Sequence, residues 1–304
     1  MGLPSDHAER IRRARLSLEG LSLGDSFGER FFLPAALAQS LIEQRVPPDP
    51  PWHYTDDTVM ALSIVETLEI HGVIDQEVLA RRFARKYRLD PGRGYGGMAH
   101  RILYEIGEGS SWQRISPAAF GGAGSMGNGG AMRAAPIGGY FSDDLEAASH
   151  QARRSAEVTH AHPEGQAGAA AVAVAAARAS AGVSDPREIL EAAAALAPEG
   201  ETRAGIVEAL RLPLGCSVRD AVSALGNGSR VISQDTVPFA LWCAARHLTH
   251  FEEALWATVS GLGDRDTTCA IVGGIVSLAV GREALPSEWL AARESLATLA
   301  EGAG

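Results

Sequence analysis

Apolar residues recur at three- and four-residue steps along most of this chain, the spacing that gathers them on one face of an α-helix. Strict apolar-polar alternation, the mark of a half-buried strand, is almost absent. The pattern predicts helices over residues 7–23, 35–44, 59–70, 75–88, 98–106 and 143–156. It continues over 165–181, 186–195, 202–210, 218–225, 236–247, 251–259, 269–280 and 288–300. Residues 165–181 are dominated by alanine, with Val172 and Val174 among them. Alanine favours the helix most and is small enough for close helix contact, so this segment is expected at the centre. The proline-rich stretch 46–52 stops the second helix and leads, through an extended segment, to Tyr54-Thr55-Asp56-Asp57-Thr58. The Gly-rich stretches 91–97 and 120–130 are short and flanked by apolar residues, so they are expected as loops of one body, the second of them flexible. No fixed period recurs. The expectation is an all-α fold of a dozen or so helices, with residues 1–304 forming a single domain.

Composition narrows the function classes. With 304 residues, 46% hydrophobic and 21% charged, the chain has enough material for one sizeable core. A formal net charge of -10 argues against a groove for long nucleic acid or an anionic membrane surface, because both need a broad positive field. Apolar residues form no long uninterrupted run outside the alanine-rich helix, and the charged N-terminal segment does not resemble a signal peptide. Cys216, Cys243 and Cys269 are odd in number and form no Cys-x-x-Cys pair, which argues against a disulfide framework or a thiolate zinc site. A cytoplasmic protein is expected. Lys86 is the only lysine and follows no Gly-rich loop, so Schiff-base and Walker-type chemistry are both disfavoured.

Two acidic clusters remain. Tyr54-Thr55-Asp56-Asp57-Thr58 and Gly263-Asp264-Arg265-Asp266-Thr267-Thr268 each set two carboxylates and a hydroxyl at the mouth of an apolar helix pattern. Either alone is what a helix N-cap uses. Two such clusters, each with more carboxylates than a cap needs, point to one site for hard cations such as Mg²⁺, Mn²⁺ or Ca²⁺. In an extended loop Asp264 and Asp266 would point the same way while Arg265 points away. An EF-hand is excluded because the loop lacks its glycine and terminal glutamate. Gly122-Ala123-Gly124-Ser125-Met126-Gly127 matches a dinucleotide fingerprint only by chance, since no strand leads into it. The loop ends in Gly127-Asn128-Gly129-Gly130 before a helix start expected at Ala131, where exposed N–H groups would cradle a phosphate or merely close a tight turn. His160 and His162 stand before the alanine-rich helix without a third zinc ligand nearby, which favours capping or substrate contact for His160.

Taken in order, Gly24-Asp25-x-x-Gly28, Thr55-Asp56-Asp57-Thr58, Gly127-Asn128-Gly129-x-Ala131-Met132-Arg133, Thr159-His160-x-x-Pro163-Glu164, Thr236-Val237-Pro238 and Gly263-Asp264-x-Asp266-Thr267 resemble the ADP-ribosylglycohydrolase family, the relatives of dinitrogenase reductase activating glycohydrolase. The likeness spans almost the whole chain. It implies an all-α fold with a binuclear Mg²⁺ or Mn²⁺ centre that hydrolyses the bond between ADP-ribose and an acceptor side chain, arginine-linked by preference. Carried over, it implies that Thr55, Asp56 and Asp57 bind one ion, Asp266 and Thr267 the other, and that Asp264 bridges. Asp56, Asp57 or Asp264 would take the proton from an attacking water. Gly127, Asn128 and Gly129 would line the ADP-ribose pocket, His160 would stand near its diphosphate or ribose, and Arg133 would support the loop. The family sets an aromatic residue against adenine, and Tyr95 in its glycine-rich loop either offers an exposed ring for that contact or merely packs the loop. Arg265 stands where the family usually carries a small or apolar residue. Members acting on serine-linked ADP-ribose use a further glutamate after the Gly-Asp segment, for which Glu29 is the candidate. The implied partner is an ADP-ribosylated protein or a small ADP-ribosyl substrate; a serine- or nucleobase-linked adduct and a non-catalytic ADP-ribose-binding relative stay open as alternatives. Oligomeric state is not legible.

Overall fold

The computed structural model describes residues 3–183 and 185–296. Its axis is a pair of helices from opposite ends of the chain, His7–Glu29 and Arg265–Val280, laid backbone against backbone. Gly20, Gly24 and Gly28 recur every fourth residue along one face. A methyl group on Gly24 would lie 2.0 Å from the Cys269 carbonyl oxygen, one on Gly28 2.2 Å from that of Arg265, and one on Gly273 2.2 Å from that of Gly20. Only hydrogen fits at such distances. The sequence predicts that the opening helix ends at residue 23, before this glycine-rich segment, whereas the helix runs through it to Glu29. Packing against the second helix outweighs the intrinsic helix cost of glycine, about 1 kcal/mol per residue.

Around this pair the described residues form sixteen α-helices, two 3₁₀ turns and no strand beyond two isolated bridges. The alanine-rich helix Pro163–Ala181 is buried almost throughout and packs on Leu145–Glu157, Ala135–Tyr140 and Arg187–Leu196, as its composition predicts. Phe27, Trp52, Trp256 and Trp289 close one end of the same core, with Phe27 stacked on Trp289 at 4.5 Å. No helix among the described residues is long and apolar enough to cross a membrane.

Most predicted helices are present with ends moved by a few residues. Two others escape the periodicity, Trp112–Gly122 and the short Ala135–Tyr140. The first is broken near its end, where Phe120 and Gly121 take positive φ of 51° and 70° and swing the last turn aside. The glycine-rich segment after it is not a free loop. Ser233 N–H donates to the Met126 carbonyl (3.0 Å), Asn128 N–H to that of Val231 (3.3 Å), and Ser233 Oγ to that of Gly127 (3.1 Å). A 3₁₀ turn, Asn128–Gly130, then precedes a helix that starts at Ala135 rather than Ala131. The final predicted helix is observed as Ser287–Ala292, and residues 297–300 of that prediction lie outside the described residues.

Candidate functional site

The close glycine contact fixes Asp25 beside the start of helix Asp56–His71. Its buried carboxylate accepts from four donors: Thr55 N–H at 3.0 Å, Thr55 Oγ1 at 2.9 Å, Thr58 N–H at 3.1 Å and Thr58 Oγ1 at 2.5 Å. Burial nevertheless raises its pKa to about 6. Asp25 therefore holds the first acidic cluster in place with its own oxygens already engaged. Thr55 caps the helix, accepting from Asp57 N–H at 3.4 Å, so the capping function and the surplus of carboxylates coexist. The Thr55 hydroxyl also lies 2.9 Å from Asp57 Oδ2, while Asp57 Oδ1 is buried without a hydrogen-bond partner.

The second cluster departs from the extended loop expected of it. Helix Arg265–Val280 begins at once, so Asp264 occupies its N-cap position and Asp266 its first turn. Asp264 is held from two sides: its N–H donates to the Asn227 carbonyl at 3.1 Å, and Asn128 Nδ2 donates to its Oδ2 at 2.7 Å. The same Asn128 amide reaches Thr236 Oγ1 at 3.0 Å. Thr267 N–H donates to Asp266 Oδ1 at 2.8 Å. Arg265 turns out of the cluster; its guanidinium donates to the carbonyls of Phe31 (2.6 Å) and Leu262 (3.1 Å) and lies over the Phe32 ring. The cation inside the motif thus fastens the loop after the opening helix.

Both clusters open into one cleft of about 820 Å³, lined also by Glu29, Gly127, Asn128, Gly129 and His160. The carboxylates crowd one another. Burial first, then the charge of Asp25, pushes Asp56 up to about 8. Asp57 and Asp266 are driven well above the ordinary carboxylate range by burial and then by their acidic neighbours. Burial also raises Asp264, against the hydrogen bond from Asn128, and raises half-buried Glu29. A cluster of this kind stores repulsion that either protons or a cation relieve. Its donors are hard oxygens, and Asp57 carries an unused one, which suits a divalent ion of the Mg²⁺ class. No three His, Cys, Asp or Glu side chains among the described residues converge as a ready-made set for a single ion, so threonine or main-chain oxygens would have to complete any coordination shell.

His160 packs directly against the glycines of the cleft wall. A methyl on Gly129 would lie 2.8 Å from His160 Cε1, so the ring fits only because position 129 carries no side chain. Its Nδ1 is 2.8 Å from Thr159 Oγ1. Burial and then the nearby Arg133 charge lower its pKa to about 3, leaving the ring neutral. Arg133 is fully buried beneath the loop, with Nη2 donating to the Ser155 carbonyl and to Thr159 Oγ1, both at 2.9 Å, and with Phe83 under its face at 4.5 Å.

Tyr95 is the exception among the expected residues. Its position in a glycine-rich loop suggests an exposed ring, but it is buried edge-on against Tyr87 at 5.1 Å and near His100. The aromatic rings exposed along the cleft are Phe32 and Phe120 instead. Sequence reasoning also missed the anchoring role of Asp25, although its Gly-Asp-x-x-Gly setting marked the place. Arg230, another residue lining the cleft, gave no signal in the sequence.

The all-α bundle thus brings carboxylates from the starts of two helices together over one cleft, and the class of protein it belongs to, a hydrolase acting on glycosyl bonds, follows from its relatives. The chain belongs to the ADP-ribosylglycohydrolase family, whose sequence model matches residues 6–303. It is similar to ADP-ribosylhydrolase ARH3 of Mus musculus, 30% identical over 326 residues that cover 93% of this chain and 87% of the mouse protein. The Bos taurus ARH3 is likewise 30% identical, over 93% of this chain and 88% of its own. ADP-ribosylarginine hydrolase Tri1 of Pseudomonas putida is 26% identical over 93% of this chain and 74% of that protein. Among solved structures, an ADP-ribosylglycohydrolase-related protein complex shares the fold with a TM-score of 0.69, covering 96% of this chain and 95% of its own at 24% identity.

Proposed function

We propose that this protein hydrolyses the glycosidic bond between ADP-ribose and an acceptor side chain, with two Mg²⁺ or Mn²⁺ ions held by Thr55, Asp56, Asp57, Asp264, Asp266 and Thr267. The observation that carries the reading is the meeting of both acidic clusters with Asn128, Gly127, Gly129 and His160 in one cleft. When bound, the cations would supply Lewis acidity to the ribose hydroxyls and to a water. The chain's own residues do the rest. Asp264, steadied by Asn128, and the Asp56–Asp57 pair supply carboxylate oxygens that receive the proton of the attacking water. Neutral His160 offers Nε2 to a ribose or phosphate oxygen without adding a charge. Cleavage at the anomeric carbon builds oxocarbenium character, and the surrounding carboxylates are of the sign that stabilises it.

The acceptor has two readings. An arginine-linked acceptor is supported by the name of the Pseudomonas putida relative and by the negative wall that a guanidinium would meet. A serine-linked acceptor is supported only by Glu29, which lines the cleft at the end of the opening helix, although it directly follows Gly28 and its spacing does not match the loop glutamate of serine-acting members. Release of ADP-ribose from arginine-, serine- and nucleobase-linked substrates in Mg²⁺ buffer, with Asp264→Asn beside wild type, tests the proposal. The variant is expected to lose at least about a hundredfold in kcat/KM, the scale of removing a group used in the transition state. No cleavage by wild type, or equal cleavage by the variant, would sink the enzymatic reading.

A further inference from the structure

The cleft is lined by five carboxylates, Glu29, Asp56, Asp57, Asp264 and Asp266, yet the ligand proposed for it carries a diphosphate. Backbone N–H groups of the Gly127–Gly130 loop can meet those phosphates, and a positive side chain beside them would offset the carboxylate field. Arg133 does not supply it, because it has no exposed surface and spends its guanidinium on Ser155 and Thr159. His160 is neutral. Arg230 remains: it lines the cleft, is exposed, and its guanidinium makes no hydrogen bond or ion pair among the described residues.

Its backbone is fixed from both sides. Arg230 N–H donates to Asp235 Oδ2 at 2.9 Å. Val231, in the left-handed region at φ 55°, donates to the Gly228 carbonyl at 2.7 Å and accepts from Asn128 N–H. Gly228 in turn presses on the second acidic cluster, since a methyl there would lie 2.7 Å from Asp264 Cβ. The turn is therefore clamped between Asp264 and the Gly127–Gly129 loop, with Arg230 between the two contacts. A β-branched residue held at positive φ is costly and persists where the surroundings over-determine it, often at ligand clamps.

We propose that Arg230 is a substrate-binding residue that pairs with the diphosphate of the ADP-ribosyl group at the wall of the cleft. The inference rests on the reading of this cleft as an ADP-ribosyl site. The planar fork of a guanidinium matches two phosphate oxygens at once. It also offsets, locally, the repulsion that a chain of net charge -10 exerts on a dianionic ligand.

Calorimetry of the full chain in Mg²⁺ buffer, with ADP-ribose and adenosine as probes, tests this on wild type, Arg230→Gln and Arg230→Lys. ADP-ribose affinity is expected to fall about tenfold to a hundredfold in the glutamine variant and to recover in part in the lysine variant. Adenosine affinity is expected to stay level. Unchanged ADP-ribose affinity in Arg230→Gln, or an equal loss for both probes, overturns the assignment. Wild type that fails to bind ADP-ribose overturns the underlying reading as well, so the two failures are told apart before any variant is compared.

Discussion

At the scale of single residues, the crowded carboxylates make a claim about stability. Asp25 titrates at about 6 and Asp56 at about 8 in the folded chain, above their ordinary value near 3.8, with burial the leading cause in both. A raised carboxylate pKa means that the folded state binds protons which the unfolded state has already released. Stability without metal therefore falls as pH rises through those values. Only from about pH 7.5 to 8 have the unfolded carboxylates and histidines, ordinarily near 4 and 6.5, released their protons, so the slope there belongs to the cluster. Metal-free protein should show a melting temperature that drops across this window, and Mg²⁺ should flatten the drop by binding only the folded state. Asp57→Asn should raise the metal-free melting temperature and remove the Mg²⁺-dependent gain. A wild-type melting temperature that is level in pH and indifferent to Mg²⁺ would contradict the cation reading.

At the scale of elements, the contact between His7–Glu29 and Arg265–Val280 depends on hydrogen atoms at glycine positions. Gly24→Ala places a methyl 2.0 Å from a carbonyl oxygen and should cost about 1–3 kcal/mol in urea unfolding, the range for overpacking. Gly215→Ala, in an exposed turn with open space around it, is the control and should change little. A Gly24→Ala variant as stable as the control would show that the helices can separate freely. This contact also marks what was legible in the sequence. Periodic apolar spacing and helix caps are local signals, and they reveal most helices and both acidic clusters. Continuation of the opening helix through Gly24 and Gly28 was not legible because its cause lies some 240 residues away, at Cys269 and Arg265. Trp112–Gly122 escaped notice because Pro117 and the terminal glycines read as breakers, and Ala135–Tyr140 because one short helix with Pro136 and two glycines shows no periodicity. Tyr95 was misjudged for a related reason: glycine neighbours suggest exposure, but Tyr87 and His100 cover the ring.

At the scale of the whole molecule, the apolar core runs continuously from Ile11 to Trp289. A single cooperative unit follows, and tryptophan fluorescence and far-ultraviolet circular dichroism should report coincident unfolding transitions. Two separated transitions would divide the chain into independent domains. The pairing of the first long helix with Arg265–Val280 also sets a schedule. During synthesis Asp25, Asp56 and Asp57 leave the ribosome long before Asp264 and Asp266, and until the later helix arrives the glycine face of His7–Glu29 has nothing to rest on. Because that contact must close most of the chain into one loop, it forms late and slowly. A nascent chain stopped short of residue 264 carries half of the acidic cluster, so assembly of the cleft coincides with completion of the fold.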